Sequence, residues 1–173
     1  MNQELLNELR QISTEESEYR EGKGDVNRGI YMEPKTHMVD YKRLIESGKT
    51  IEIRTHTRFV HFPQHTHNYV ELIYMCSGHT THIVNGDQIE LGTGELLFLN
   101  QNATQEIYPA GEEDIAVNFI ILPAFFDYAL SMMGEEENLV RKFVLDCLKS
   151  KDADVSYLHF QVADVLPIQN LME

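Results

Sequence analysis

The sequence predicts a mainly β protein, an antiparallel barrel or jelly roll followed by α-helices. Three observations carry that prediction. Between residues 51 and 122, short runs of apolar or alternating character are divided by glycine and asparagine turns, with no helical period among them. Asn85-Gly86 lies between two of these runs and is the strongest hairpin signal in the chain, a type I′ turn. Beyond Pro123 the apolar spacing switches to that of a helix.

Taken in order, residues 2 to about 12 form a short amphipathic helix, with Leu5, Leu6, Leu9 and Ile12 near helical spacing. Glu15 to Asn27 is polar, contains Gly22 and Gly24, and reads as a mobile connector; residues 1–50 are thus an N-terminal helix and mobile arm. The barrel is expected over residues 51–122. Its first strand, Ile51 to Val60, alternates. Ile51, Ile53, Thr55, Thr57 and Phe59 share one face, and Glu52, Arg54, His56 and Arg58 the other, which places His56 in solvent. Phe62-Pro63 interrupts the pattern. Val70 to Met75 is the next strand, ending at Ser77-Gly78, and His79 to Val84 follows. The Asn-Gly turn sets Val84 opposite Asp87, Ile83 opposite Gln88, His82 opposite Ile89 and Thr81 opposite Glu90. Cross-strand partners share a face, so His82 and Thr80 point inward with Ile89 and Leu91. Glu95 to Leu99, Gln105 to Ile107 and Ile115 to Leu122 supply the remaining strands.

Residues 123–173 are expected to be a helical extension. Pro123 suits a first helical turn, and Phe125, Phe126, Ala129, Leu130 and Met133 form an apolar stripe that ends at Gly134. A second helix runs from Asn138 to Lys149, with Leu139, Phe143, Val144 and Leu148 toward the core. Glu135-Glu136-Glu137 precedes it and complements its dipole. Val155 to Phe160 is extended, and Asp164 to Leu171 begins another helix. The chain stops there, as expected of a piece cut ahead of a further domain.

At 173 residues, 42% hydrophobic and 24% charged, the chain has the composition of one soluble domain with extensions. No run approaches the roughly 18 apolar residues of a membrane helix, and the start, Met-Asn-Gln-Glu-Leu-Leu, carries no signal region. Cys76 and Cys147 are too few for a disulfide framework or a cysteine zinc site, which points to the cytoplasm with free thiols. Fourteen basic residues against 28 acidic give a formal charge of −14. Nucleic-acid affinity comes largely from cations on phosphates, so this chain alone is a poor DNA binder. Phosphate-binding glycine loops and Ser-His-Asp or cysteine-nucleophile patterns are not seen.

Chemistry concentrates in His65-Thr66-His67-Asn68-Tyr69-Val70-Glu71. Strand geometry projects His65 and His67 together, and an unbroken strand would bring Tyr69 and Glu71 to the same face. Two imidazoles and a carboxylate in a pocket can hold a divalent metal or grip a hydroxylated ligand. His82 is a further pocket candidate from its inward face. His56 and His61 read as ordinary surface histidines.

The same stretch resembles the first motif of the cupin superfamily, a His-x-His pair, a Glu and a Gly, carried here by His65, His67, Glu71 and Gly78. For the second motif, Gly94 matches, but Asn100 and Asn102 occupy the Pro-x-Gly turn and Gln105 the histidine position. The resemblance implies a cupin-like double-stranded β-helix. It leaves the usual sphere of three histidines and a glutamate incomplete, since an amide oxygen is a weaker transition-metal ligand than imidazole. More closely, His-Thr-His-Asn-Tyr-Val-Glu-Leu-Ile-Tyr-Met, and the passage from Asn118 through Phe126 into helices, is similar to the sensor domain of AraC-type bacterial transcription regulators. The likeness covers roughly residues 50 to 170. In such proteins the cupin binds a small effector, the following helices mediate dimerisation, and a separate C-terminal half binds DNA.

The resemblance therefore implies an effector-sensing, homodimeric domain that is not itself an enzyme and meets DNA only through a domain outside this chain. Its ligand, a sugar or organic acid, would be bound by His65, His67, Glu71, Gln105 and His82. No cofactor is required, although His65, His67 and Glu71 could hold a divalent metal. The alternative is a metal-dependent cupin oxygenase or isomerase, with those three residues as a facial triad.

Overall fold

The structure, a computed structural model, describes residues 3–22, 24–134, 136–148 and 154–172. Among them, ten strands form two five-stranded sheets. The strands are β1 (Met38–Val39), β2 (Ile51–Thr55), β3 (Phe62–His67), β4 (Val70–Ser77), β5 (His79–Val84), β6 (Asp87–Gly92), β7 (Leu96–Leu99), β8 (Gln105–Ile107), β9 (Ile115–Ile121) and β10 (Tyr157–Phe160). One sheet runs β1-β3-β8-β5-β6 and the other β10-β7-β4-β9-β2. This is the mainly β, cupin-like jelly roll with following helices.

The Asn85-Gly86 hairpin forms in the expected register, with Val84 opposite Asp87 and His82 opposite Ile89. Both turn residues take positive φ, 53° and 94°, as a type I′ turn requires. Between the sheets Ile73, Met75, Val84, Ile89, Leu91, Leu97 and Leu99 pack into a core. The central strand β4 is buried on both faces, which is why it reads as a nearly continuous apolar run. At its end Gly78, at φ +74°, lies so close to Asp114 that a β-carbon there would collide with it.

Each flank lends the barrel a strand. In the arm, β1 pairs in parallel with β3, placing Val39 beside His67. Beyond the barrel, β10 pairs with β7, with Tyr157 beside Leu99. Three further helices, α4 (Phe125–Met132), α5 (Leu139–Leu148) and α6 (Leu166–Met172), follow the barrel. Phe126, Phe143, Val144 and Cys147 of the first two pack on the outer face of the second sheet. Leu139, expected toward this core, is 58% exposed, because the helix begins there, beyond the edge of the packed face. The end of the second helix at Lys149 and the side chain of Ala129 lie outside the described residues, as does Glu135 of the acidic run.

The connector expected at Glu15–Asn27 is instead ordered around a helix. The arm contains α1 (Gln3–Leu9), α2 (Thr14–Arg20) and α3 (Arg28–Tyr31). Ser13 and Glu16 form a capping box at the start of α2, with Ser13 Oγ accepting from Glu16 N–H and Glu16 Oε2 from Ser13 N–H. Glu16 also binds Arg58 through Nε–H···Oε1 at 2.8 Å and Nη2–H···Oε2 at 3.1 Å. Arg58 donates further to the carbonyls of Arg10, Gln11 and Glu112. Both partners are buried, and both are well satisfied. Tyr31 is held in turn by Glu15 and Thr57.

The alternation of β2 is real, but its sides are reversed from the sequence expectation. His56 and Arg58, just after the strand, are 4% and 2% exposed, while Ile53 is 57% exposed. The inner face meets a polar cavity and the arm, whereas part of the outer face meets helices: Ile51 packs with the apolar cluster around α4 and α5. Apolar residues therefore do not mark the inside here.

Removing one member of a desolvated ion pair strands the other. Glu16→Ala or Arg58→Ala is therefore expected to cost about 3–5 kcal/mol in urea unfolding, while the paired replacement Glu16→Leu with Arg58→Met costs much less. Equal losses for single and paired variants would mean that the bridge does not anchor the arm.

Candidate functional site

One end of the barrel encloses a cavity of about 60 Å³. Strand β3 supplies His65 and His67, β4 supplies Glu71, β9 supplies Asn118, and β2 with its continuation supplies Arg54 and His56. The arm closes the mouth with Tyr31, Val39 and Leu44. Strand periodicity brings His65 and His67 inward together, their ring centroids 4.9 Å apart. Strand β3 ends at His67, yet Tyr69 still reaches the cavity through the bend between β3 and β4, its ring 4.9 Å from His67. Glu71 follows on the inner face of β4, with Oε2 3.8 Å from His67 Nε2.

Hydrogen bonds order these groups. Asn118 donates to Glu71 Oε1 at 2.9 Å, and its own oxygen lies 3.1 Å from His56 Nδ1. His65 Nδ1 is 2.8 Å from the Pro63 carbonyl, so Nδ1 carries the proton. Gln105, opposite His65 across β3 and β8, donates to His82 Nδ1 at 3.1 Å, and His82 Nε2 reaches Thr80 Oγ1 at 2.8 Å. With both nitrogens used, His82 positions Gln105 rather than lining the cavity. Three buried atoms of cavity-lining residues, His56 Nε2, His67 Nδ1 and Glu71 Oε2, have no hydrogen-bond partner among the described residues, nor has Gln105 Oε1 beside them. Buried polar atoms rarely go unpaired, and leaving one so costs about 1–3 kcal/mol.

Desolvation governs the protonation states. Burial holds His65 down to about 4, against the Pro63 carbonyl and the nearby Gln105 amide. His67 is driven well below 6.5 by burial and then by neighbouring His65, and burial lowers His56 and His82 as well. Burial pushes Glu71 up to about 7, against the opposing amides of Asn118 and Gln105. The imidazoles are neutral at physiological pH, each able to donate at one nitrogen and accept at the other.

The structure thus gathers His65, His67 and Glu71 at one cavity and sets Gln105 behind them. Arg54, His56, Tyr31 and Asn118 join them unforeseen. Asn118 left a signal in the sequence, as the polar residue inside the apolar run Ile115–Leu122. His56 was misplaced because β2 alternates in the opposite sense. Among the described residues, no three His, Cys, Asp or Glu side chains are gathered so as to hold a metal ion. His65, His67 and Glu71 as they stand do not fit a metal sphere.

The two-sheet jelly roll, with a polar cavity at one end beneath an arm, is cupin-like in fold. The sequence profile described as "AraC-like ligand binding domain" matches residues 51–136, and the chain belongs to that family. No curated protein matches it. Among solved structures, apo ToxT from Vibrio cholerae aligns at 9% identity and a TM-score of 0.51, over 74% of this chain and 47% of that one. The chain thus spans about half the ToxT chain, and the likeness is one of fold. A cupin protein from Bacteroides fragilis aligns at 21% identity and a TM-score of 0.33, over 52% of this chain and 72% of that one. The EutQ protein of Clostridium difficile aligns at 20% identity and a TM-score of 0.33, covering 42% and 55%.

A carboxyl whose pKa is raised on folding stabilises the fold below its unfolded pKa and loses that contribution as pH rises through the folded value. With Glu71 at about 7 when folded, the stability of Glu71→Gln relative to wild type is expected to rise by about 3 kcal/mol between pH 4.5 and 7.5. Urea unfolding of both proteins across that range measures the difference, and a constant difference would mean that Glu71 titrates normally. The buried imidazoles act oppositely, losing stability below about pH 6.5, but cancel in the comparison.

Proposed function

We propose that this chain is the effector-sensing and dimerising part of an AraC-type transcription regulator, bound to a sugar or organic acid rather than acting as an enzyme. One observation carries the reading: an arm-covered cavity whose buried polar atoms, His56 Nε2, His67 Nδ1 and Glu71 Oε2, lack partners among the described residues. The family match supports it. A ligand hydroxyl meeting one of these atoms contributes on the order of 1 kcal/mol, and a ligand without it leaves the atom desolvated and unpaired. His65, His67, Glu71 and Gln105 form the recognition set, with His82 holding Gln105. A ligand touching both the barrel and Tyr31 favours the closed arm by its differential affinity for the closed and open states.

In this reading a second copy covers the exposed apolar side chains of α4 and α5, including Met132 at 71% and Leu139 at 58% exposure. DNA is met by a separate half of the regulator, an arrangement that the charge of −14 supports. No helix among the described residues is long and apolar enough to cross a membrane. Cys76 and Cys147 are buried free thiols, which supports the reducing cytoplasm as its setting. Binding needs no metal.

Screening sugars and organic acids by thermal shift is expected to yield a stabilising ligand whose effect His67→Ala abolishes and chelator leaves unchanged. Stabilisation that survives His67→Ala, or that appears only with added iron, manganese or zinc, would overturn the reading. Light scattering is expected to give about twice the chain mass of 20.0 kDa, falling to one chain in Leu139→Glu. A wild-type monomer at high concentration would count against dimerisation.

A further inference from the structure

We propose that the cavity takes a hydroxy acid, its carboxylate held by Arg54 and its hydroxyl by Glu71 and His67. The inference rests on the effector-binding reading and narrows it to one chemical class. Arg54 lies in the cavity wall, directly across from Asn118 between β2 and β9. Among the described residues its guanidinium makes no hydrogen bond and no ion pair, as is also true of Arg28 and Arg141, but of these three only Arg54 lines this cavity. With 28 acidic residues in the chain, a cavity guanidinium left without one is well suited to an outside anion. Arginine's planar fork matches a carboxylate with two parallel hydrogen bonds.

Arg54 is the one arginine or lysine among the residues that line the cavity, where burial keeps the imidazoles of His65 and His67 neutral. Glu71 stands with His67 and Asn118, and its free Oε2 accepts a hydroxyl proton. With its positive charge at Arg54 and hydrogen-bonding groups at Glu71 and His67, the cavity turns the acid toward Arg54 and the alcohol toward Glu71.

Calorimetric titration of the chain with matched pairs, glycerate against glycerol and lactate against propane-1,2-diol, tests the inference. The acid is expected to bind at least tenfold more tightly than its neutral partner. Arg54→Gln should remove that preference without lowering the melting temperature, and Arg54→Lys should restore part of it. Equal affinity within each pair, no binding by either member, or an unchanged preference in Arg54→Gln would overturn it. If Arg54→Gln does not fold, the wild-type pairs decide alone. A neutral sugar that binds and is lost in His67→Ala would overturn the hydroxy acid while leaving effector sensing intact. Failure of sugars and acids alike would remove both.

Discussion

The two oxygens of Glu16 hold the guanidinium of Arg58 inside the protein, and the closed end of the barrel depends on that contact. An unpaired charge so deep would be untenable, so the arm cannot leave without uncovering both groups or desolvating one. The bridge sets α2 in place, α2 presents Glu15, and Glu15 fixes the hydroxyls of Tyr19 and Tyr31. Tyr31 then stacks edge-on against Phe62 at 5.2 Å and covers the cavity. Exclusion of water from the imidazoles and Glu71 is the result. Their altered protonation follows from that exclusion rather than from any strong charge among themselves.

This order of causes explains why parts of the molecule were legible in the sequence and others were not. The hairpin was readable to the residue, because Asn85-Gly86 permits one turn and a turn fixes register. His65, His67 and Glu71 were readable because period-two geometry outlasts small irregularities, including the bulge between Phe62 and His65. The inner face of β2 was not. Its alternation assumes that the inside is apolar, and Arg54, His56 and Arg58 line an inside that is polar. The helix at Thr14–Arg20 was missed although Ser13 and Glu16 stand at capping-box spacing, since its few apolar residues give little periodicity. The Glu16–Arg58 contact joins residues 42 apart, and no local pattern reports it.

Gln105 shows how a departure from a family pattern changes chemistry without changing shape. It sits across from His65, at the place where the cupin resemblance expects a third imidazole. Its amide is drawn back by His82, which Thr80 fixes in turn. The barrel thus keeps the arrangement of a cupin mouth while presenting an amide oxygen and neutral imidazoles. Such a set suits hydrogen-bond exchange with a ligand better than binding of a cation.

The parallel pairing of β1 with β3 has a bearing on solubility. The backbone N–H groups of Thr66 and Asn68 donate to His37 and Val39, so the short arm strand occupies the outer edge of the sheet that carries the histidines. Bare strand edges recruit other chains into intermolecular sheets. Proteolytic loss of the arm would therefore do more than open the cavity: it would expose a ready template for aggregation. The segment that shelters the pocket also keeps the barrel from polymerising.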